Sequence, residues 1–166
     1  IRKLSCLNLL EIIFLIINIF LSKQFWSNSF SFNTINACLT RGAVEFNDSV
    51  KVIATAPHPD DVVQGLRSIE HGYIPPILDL DKLDGRIMVE AEESFFWTKK
   101  IMETHGLFVG VSSGATLATC VKLSKRLKNS VIVTIFADGG WKYLSSGIYE
   151  KEFSEISNAI NGKVWW

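Results

Sequence analysis

From Ser49 to Phe136 the chain alternates short β-branched apolar runs with longer stretches of helical periodicity. That alternation constrains the fold more than any other feature, because strand–helix–strand–helix–strand order closes most simply as a parallel sheet covered on both faces. Ser49–Ala56 reads SVKVIATA, is ended by Pro57 and Pro59, and predicts a buried strand. Asp60–Asp84 is irregular, with a chain reversal at Gly72-Tyr73-Ile74-Pro75-Pro76. Ile87–Glu90 predicts a second short strand. Ala91–His105 predicts a helix: Glu92 and Glu93 fall in its first turn, Lys99 and Lys100 follow later, and Gly106 stops it. Phe95, Phe96, Ile101 and Met102 give that helix one broad apolar face. Leu107–Val111 then predicts a strand and Ala115–Leu127 a helix ending among Lys122, Lys125, Arg126 and Lys128. Val131–Phe136 predicts a buried strand closed by Asp138-Gly139-Gly140. Ligands of such sheets bind beyond the carboxyl ends of the strands. Residues 110–115 and 137–146 are therefore the segments to inspect.

The remainder of the chain has a different composition. Residues 1–39 contain no Gly, no Pro and a single acidic residue, Glu11, and the change near residue 40 predicts a boundary there. Leu7–Leu21 is mostly apolar and follows Arg2 and Lys3. Fifteen helical residues span roughly 22 Å, short of a hydrocarbon core of about 30 Å. Extension to Trp26 would reach the full thickness but would carry Asn8, Glu11 and Asn18 into the bilayer. Three readings stand side by side: a membrane helix, a signal peptide, or unrelated sequence translated out of frame. Over the whole chain Lys+Arg 17 balance Asp+Glu 17, which argues against an electrostatic nucleic-acid binder with its basic stripe. With 20% charged and 48% apolar residues, overall disorder is excluded as well. Cys6, Cys38 and Cys120 have neither disulfide nor zinc spacing. His58, His71 and His105 are far apart and flank Pro or Gly, as turn or surface residues do.

The loop Gly110-Val111-Ser112-Ser113-Gly114-Ala115 lies between a predicted strand and a predicted helix. Backbone amides and the helix dipole converge at such a place. By itself the loop predicts capping, with Ser112 or Ser113 as the N-cap. It is neither GxGxxG nor a Walker A loop. Asp138 before two glycines predicts a turn. Cys120 falls on the apolar face of its helix, where a buried inert thiol is the usual case.

Taken together, three motifs carry a resemblance. Gly106-Leu107-Phe108-Val109-Gly110-Val111-Ser112-Ser113-Gly114-Ala115 is followed by Asp138-Gly139-Gly140-Trp141-Lys142-Tyr143-Leu144-Ser145-Ser146-Gly147. Upstream of both stands Val63-Gln64-Gly65-Leu66-Arg67-Ser68-Ile69-Glu70-His71-Gly72-Tyr73-Ile74-Pro75. In this order they resemble the C-terminal third of the cysteine synthases, from about Arg41 to Trp166, with Arg67 and the Trp-Lys-Tyr-Leu-Ser run most like the cysteine synthase B branch. The resemblance implies an α/β, partial fold-type-II (tryptophan synthase β-like) domain that uses pyridoxal 5'-phosphate. It implies β-replacement on O-acetylserine or O-phosphoserine by sulfide or a sulfur-carrier protein, in a cytoplasmic homodimer. Ser112 then matches the serine that hydrogen-bonds the pyridine nitrogen, Gly65 the residue that approaches cofactor and substrate, and Asp138 a residue near the ring edge. Arg67 becomes the substrate-binding candidate, because a guanidinium fork suits a phosphate dianion.

The same family needs a Schiff-base lysine and a Gly/Thr-rich phosphate loop, both upstream of the matching part. Residues 1–39 hold neither: Lys3 and Lys23 lack the surroundings, and there is no glycine. The expectation is a C-terminal portion that does not catalyse alone. The alternative is a membrane-anchored, non-catalytic α/β binding or dimerisation module.

Overall fold

The structure is a computed structural model that describes residues 13–18, 49–61, 63, 65, 66, 68 and 78–160, with the backbone alone at 13–18 and 158–160. Four parallel strands form one sheet in the order β3-β2-β1-β4. They are β1 (Ile13–Asn18), β2 (Lys51–Pro57), β3 (Gly85–Val89) and β4 (Val131–Thr134). Helices α1 (Ala91–His105) and α2 (Val111–Ser124) link β3 to β4, and α3 (Phe153–Ile160) follows. Two short 3-10 turns, Leu80–Lys82 and Gly140–Ser146, complete the described elements.

The alternation of faces along β2 shows why this is a parallel sheet. Ile53 packs with Leu123 of α2 and with Ile87, Cys120, Leu127 and Ile132. Its neighbour Ala54 faces Leu78 and Leu83. A strand covered on both sides needs apolar residues at consecutive positions, and Val52 through Pro57 are all buried. Helix α2 contacts all four strands, and α1 lies against α2. A second core joins α1, α2, the Gly140–Ser146 turn and α3 through Phe95, Val111, Ala115, Tyr143, Ile148 and Ile156.

Helices α1 and α2 touch at Gly114. A Cβ added there would lie 2.0 Å from Thr98 Oγ1 and 2.2 Å from the Ser94 carbonyl oxygen, so glycine is what admits the contact. The start of α1 is capped from a distance. Glu90 makes no side-chain cap bond; instead Asp61 Oδ2 accepts from Ala91 N–H at 2.5 Å, beside the positive end of the dipole.

Several sequence expectations change. Leu107–Val111 is no strand: its backbone makes one antiparallel bridge, Val109 to Gly139. The next helix begins at Val111, four residues before the expected Ala115, and ends at Ser124. Gly110 is its N-cap, with an extended φ of −77° and ψ of 170° and no side-chain cap bond. The last strand stops at Thr134 rather than Phe136. Ile13–Asn18, inside the stretch expected as membrane helix, signal peptide or unrelated sequence, forms a strand with parallel partners on both sides. Ile16 stands opposite Ile53 of β2, and Leu15 opposite Val133 of β4. The rest of residues 1–39, together with His71, Gly72–Pro76 and Val164-Trp165-Trp166, lies outside the described residues. Among the described residues no helix is long and apolar enough to cross a membrane.

Candidate functional site at the head of helix α2

Ser112 and Ser113 occupy the first turn of α2, not the cap position. The cap role falls instead to the Gly110 carbonyl, which accepts from Ser113 N–H at 3.0 Å and Gly114 N–H at 3.3 Å. Both serines are fully buried, and neither hydroxyl has a hydrogen-bond partner among the described residues. A buried hydroxyl left alone costs about 1–3 kcal/mol. Such a group is an unfilled donor and acceptor next to the positive end of a helix.

The three sequence motifs meet around this point. Val63 of the first motif, Val111 of the second and Tyr143 of the third share one buried cluster, with Leu66 packed against it. Gly65 sits in the turn between Val63 and Leu66 at a φ of 85°, where a side chain would be strained. Leu66 N–H donates to the Val63 carbonyl at 2.9 Å and closes that turn. Arg67 lies outside the described residues, between Leu66 and the buried Ser68.

Asp138 is tied into the head of α2 by backbone and side chain. Gly110 N–H donates to the Asp138 carbonyl at 3.0 Å, and Gly140 N–H donates to the Phe108 carbonyl at 3.1 Å. The carboxylate packs over Gly110: a Cβ added there would lie 2.1 Å from Asp138 Oδ1 and 2.7 Å from the Tyr143 ring. Asp138 Oδ2 accepts from the Tyr143 hydroxyl at 2.8 Å and has Lys142 Nζ at 3.6 Å. Its Oδ1 is buried without a partner among the described residues. Tyr149 hydroxyl donates to the Val109 carbonyl at 2.6 Å, and its ring meets Phe108 at a centroid distance of 4.7 Å. Burial, then the charge of Asp138, pushes both phenols well above the ordinary tyrosine range. They remain protonated donors at any physiological pH.

Sequence reasoning missed Tyr143 and Tyr149. Their spacing from Asp138 is a signal only once the chain is known to turn back at Gly140. A separate hollow of about 460 Å³ lies where β2 and β3 end, lined by His58, Met88, Glu90, Phe96 and Lys122 among others. It includes neither Ser112 nor Asp138. His58 and His105 are exposed, as expected of turn and surface residues.

No family model matches the chain. In sequence it is similar to a cysteine synthase of Aquifex aeolicus, 38% identical over 109 residues, which is 63% of this chain and 33% of the relative. Cysteine synthase B of Pseudomonas aeruginosa is 32% identical over 112 residues, 68% of this chain and 38% of the relative. Cysteine synthase A of Escherichia coli is 36% identical over 118 residues, 68% of this chain and 36% of the relative. The chain thus spans about a third of the length of these curated relatives. In structure it is similar to an O-acetylserine-dependent cystathionine beta-synthase from Helicobacter pylori, with a TM-score of 0.64 and 28% identity over 84% of this chain and 44% of that one. O-ureido-L-serine synthase gives a TM-score of 0.69 at 18% identity, over 84% of this chain and 43% of that one, and so speaks to fold alone.

Proposed function

We propose that this chain, cysteine synthase-like over about 60% of its length, supplies the ring-nitrogen side of a pyridoxal 5'-phosphate site in a fold-type-II domain. The observation that carries the reading is the buried, unpartnered Ser112 Oγ at the head of α2. The stretches bearing Gly65 and Asp138 reach the same core cluster through their neighbours Val63 and Tyr143. A serine hydroxyl fits an aromatic nitrogen as a neutral hydrogen-bond partner, and unlike a carboxylate it does not hold that nitrogen protonated. When bound, the cofactor supplies the electron sink for replacement at the β-carbon of an amino acid.

The roles of this chain's residues follow from their chemistry. Ser112 holds the ring nitrogen, Gly65 keeps the approach to the ring free of a side chain, and Asp138 closes the ring edge. Arg67 receives the phosphate of O-phosphoserine. The reaction is exchange of the acetate or phosphate of O-acetylserine or O-phosphoserine for sulfide, free or brought by a sulfur-carrier protein. The intact assembly is a cytoplasmic homodimer. The composition changes near residue 40, yet Ile13–Asn18 on the far side of that change pairs with β2 and β4 in the same sheet. The covalent lysine and the phosphate loop are not contributed by these 166 residues, so they do not catalyse by themselves. The alternative, a membrane-anchored module, rests on residues 1–26, of which the described Ile13–Asn18 is a strand.

The test joins residues 40–166 to the upstream part of the Aquifex aeolicus relative. Cysteine formation from sulfide is then measured with both serine esters. The expected result is activity that Ser112→Ala reduces about 100-fold and that Arg67→Ala reduces on O-phosphoserine alone. An inactive but folded chimera overturns the family reading. Equal loss on both esters overturns the phosphate role of Arg67.

A further inference from the structure

The position of Ser112 is set from outside its helix. Residues 108–110 and 138–140 are fastened by a pair of backbone hydrogen bonds, at 3.0 and 3.1 Å. Above that pair, Gly110 is walled in by the Asp138 carboxylate and the Tyr143 ring. No side chain caps α2; its first amides are held by the Gly110 carbonyl alone, and the wall stands against that same residue. A carboxylate can swing about its terminal bond unless one oxygen is held. Here Oδ2 is held by the Tyr143 hydroxyl at 2.8 Å, which leaves Oδ1 pressed towards Gly110. Tyr143 itself cannot move far: it is 6% exposed and packed in the same core as Val111.

We propose that Tyr143, acting through Asp138 on Gly110, is the positioning residue that sets where the Ser112 hydroxyl lies. The proposal deepens the cofactor reading of Ser112 and rests on it for ligand binding, but not for the geometry of the helix start.

Two measurements test it, the first on the full chain and the second on the chimera that supplies the upstream part. The first is amide hydrogen exchange at Ser113 and Gly114, whose acceptor is the Gly110 carbonyl, relative to Ala118–Val121 in the same helix. The second is titration with pyridoxine 5'-phosphate, which presents the ring nitrogen without an aldehyde for stray lysines, followed by ring fluorescence. Tyr143→Phe is expected to raise the exchange ratio about tenfold and to weaken binding about tenfold, the size of one hydrogen bond to a charged group. Asp138→Ala is expected to do the same. Asp138→Asn, which keeps an acceptor oxygen for the phenol, is expected to stay within about twofold of wild type for both. An exchange ratio changed less than about threefold by Tyr143→Phe overturns the proposal, as does Asp138→Asn behaving like Asp138→Ala. If Tyr143→Phe does not fold, the Asp138 pair decides by the same contrast. If even the chimera with wild-type residues 40–166 leaves pyridoxine 5'-phosphate unbound, the cofactor reading of Ser112 fails. The exchange ratio then still upholds or overturns the positioning role.

Discussion

Gly114 separates two effects that a substitution would set against each other. Alanine in a helix interior gains up to about 1 kcal/mol over glycine in propensity. At Gly114 the added methyl would meet the Ser94 carbonyl oxygen at 2.2 Å and the Thr98 nitrogen at 2.9 Å, and both are backbone. Backbone cannot rotate aside, so overpacking wins. Gly114→Ala is expected to cost about 1–3 kcal/mol, read as a lower urea midpoint at unchanged slope. Cys120 shows burial acting on chemistry. Removal from water pushes its thiol up to about 11, so at pH 8 about one molecule in a thousand carries the thiolate. Alkylation at pH 8, followed by mass spectrometry of the Cys120 peptide, is expected to be slow in the folded chain and fast in urea. Rapid labelling of the folded chain would contradict that burial.

Among the elements, β2 and β3 are stitched by one carboxylate. Asp84, just before β3, accepts from Lys51 Nζ through Oδ1 at 2.8 Å and from Val52 N–H through Oδ2 at 2.8 Å. Burial pulls its pKa up, but these donors outweigh it and the net shift is downward. A carboxyl depressed in the folded state stabilises fully above its unfolded value of about 3.9, and the benefit is lost as pH falls through the lower folded value. Wild type is therefore expected to exceed Asp84→Asn in stability at pH 6, with the gap closing towards pH 2 in paired urea titrations. How much of the architecture is legible varies by element. β2, β3 and α1 can be read from sequence because the β2 run ends at Pro57, the Ile87–Val89 run follows the Asp84-Gly85 turn, and Glu92, Glu93 and Gly106 mark both ends of α1. The start of α2 is not legible. Gly-Val-Ser-Ser-Gly reads as loop, since two serines suggest caps, yet the extended Gly110 and the wall made by Asp138 and Tyr143 start the helix at once. β1 is hidden for another reason: within the continuous apolar run from Ile12 to Ile17, strand and helix have the same periodicity signature. At the candidate site, Ser112 and Asp138 stand out in the sequence as residue types. The phenol that holds Asp138 became visible only through the fold-back at Gly140.

At the scale of the whole molecule, balanced charge and exposed apolar surface act together. The chain carries no net formal charge at neutral pH, which removes the repulsion that keeps copies apart. β4 lies at one end of the described sheet, and its Val131 and Val133 are each 42% exposed. End strands with apolar side chains recruit other strands. Val133→Lys is therefore expected to lower self-association at pH 7 with little change in melting temperature, by light scattering and calorimetry. Unchanged particle size would place the sticky surface elsewhere, for instance at Trp141 and Leu144, which are 65% and 59% exposed. The seam at Gly114 bears on motion as well as on stability. Helices separated by side chains slide by an ångström or two as rotamers change. Where main chain rests on main chain that lubricant is missing, so a push on the Glu90–Phe96 end of α1 arrives at Ser112 as displacement instead of being absorbed along the way.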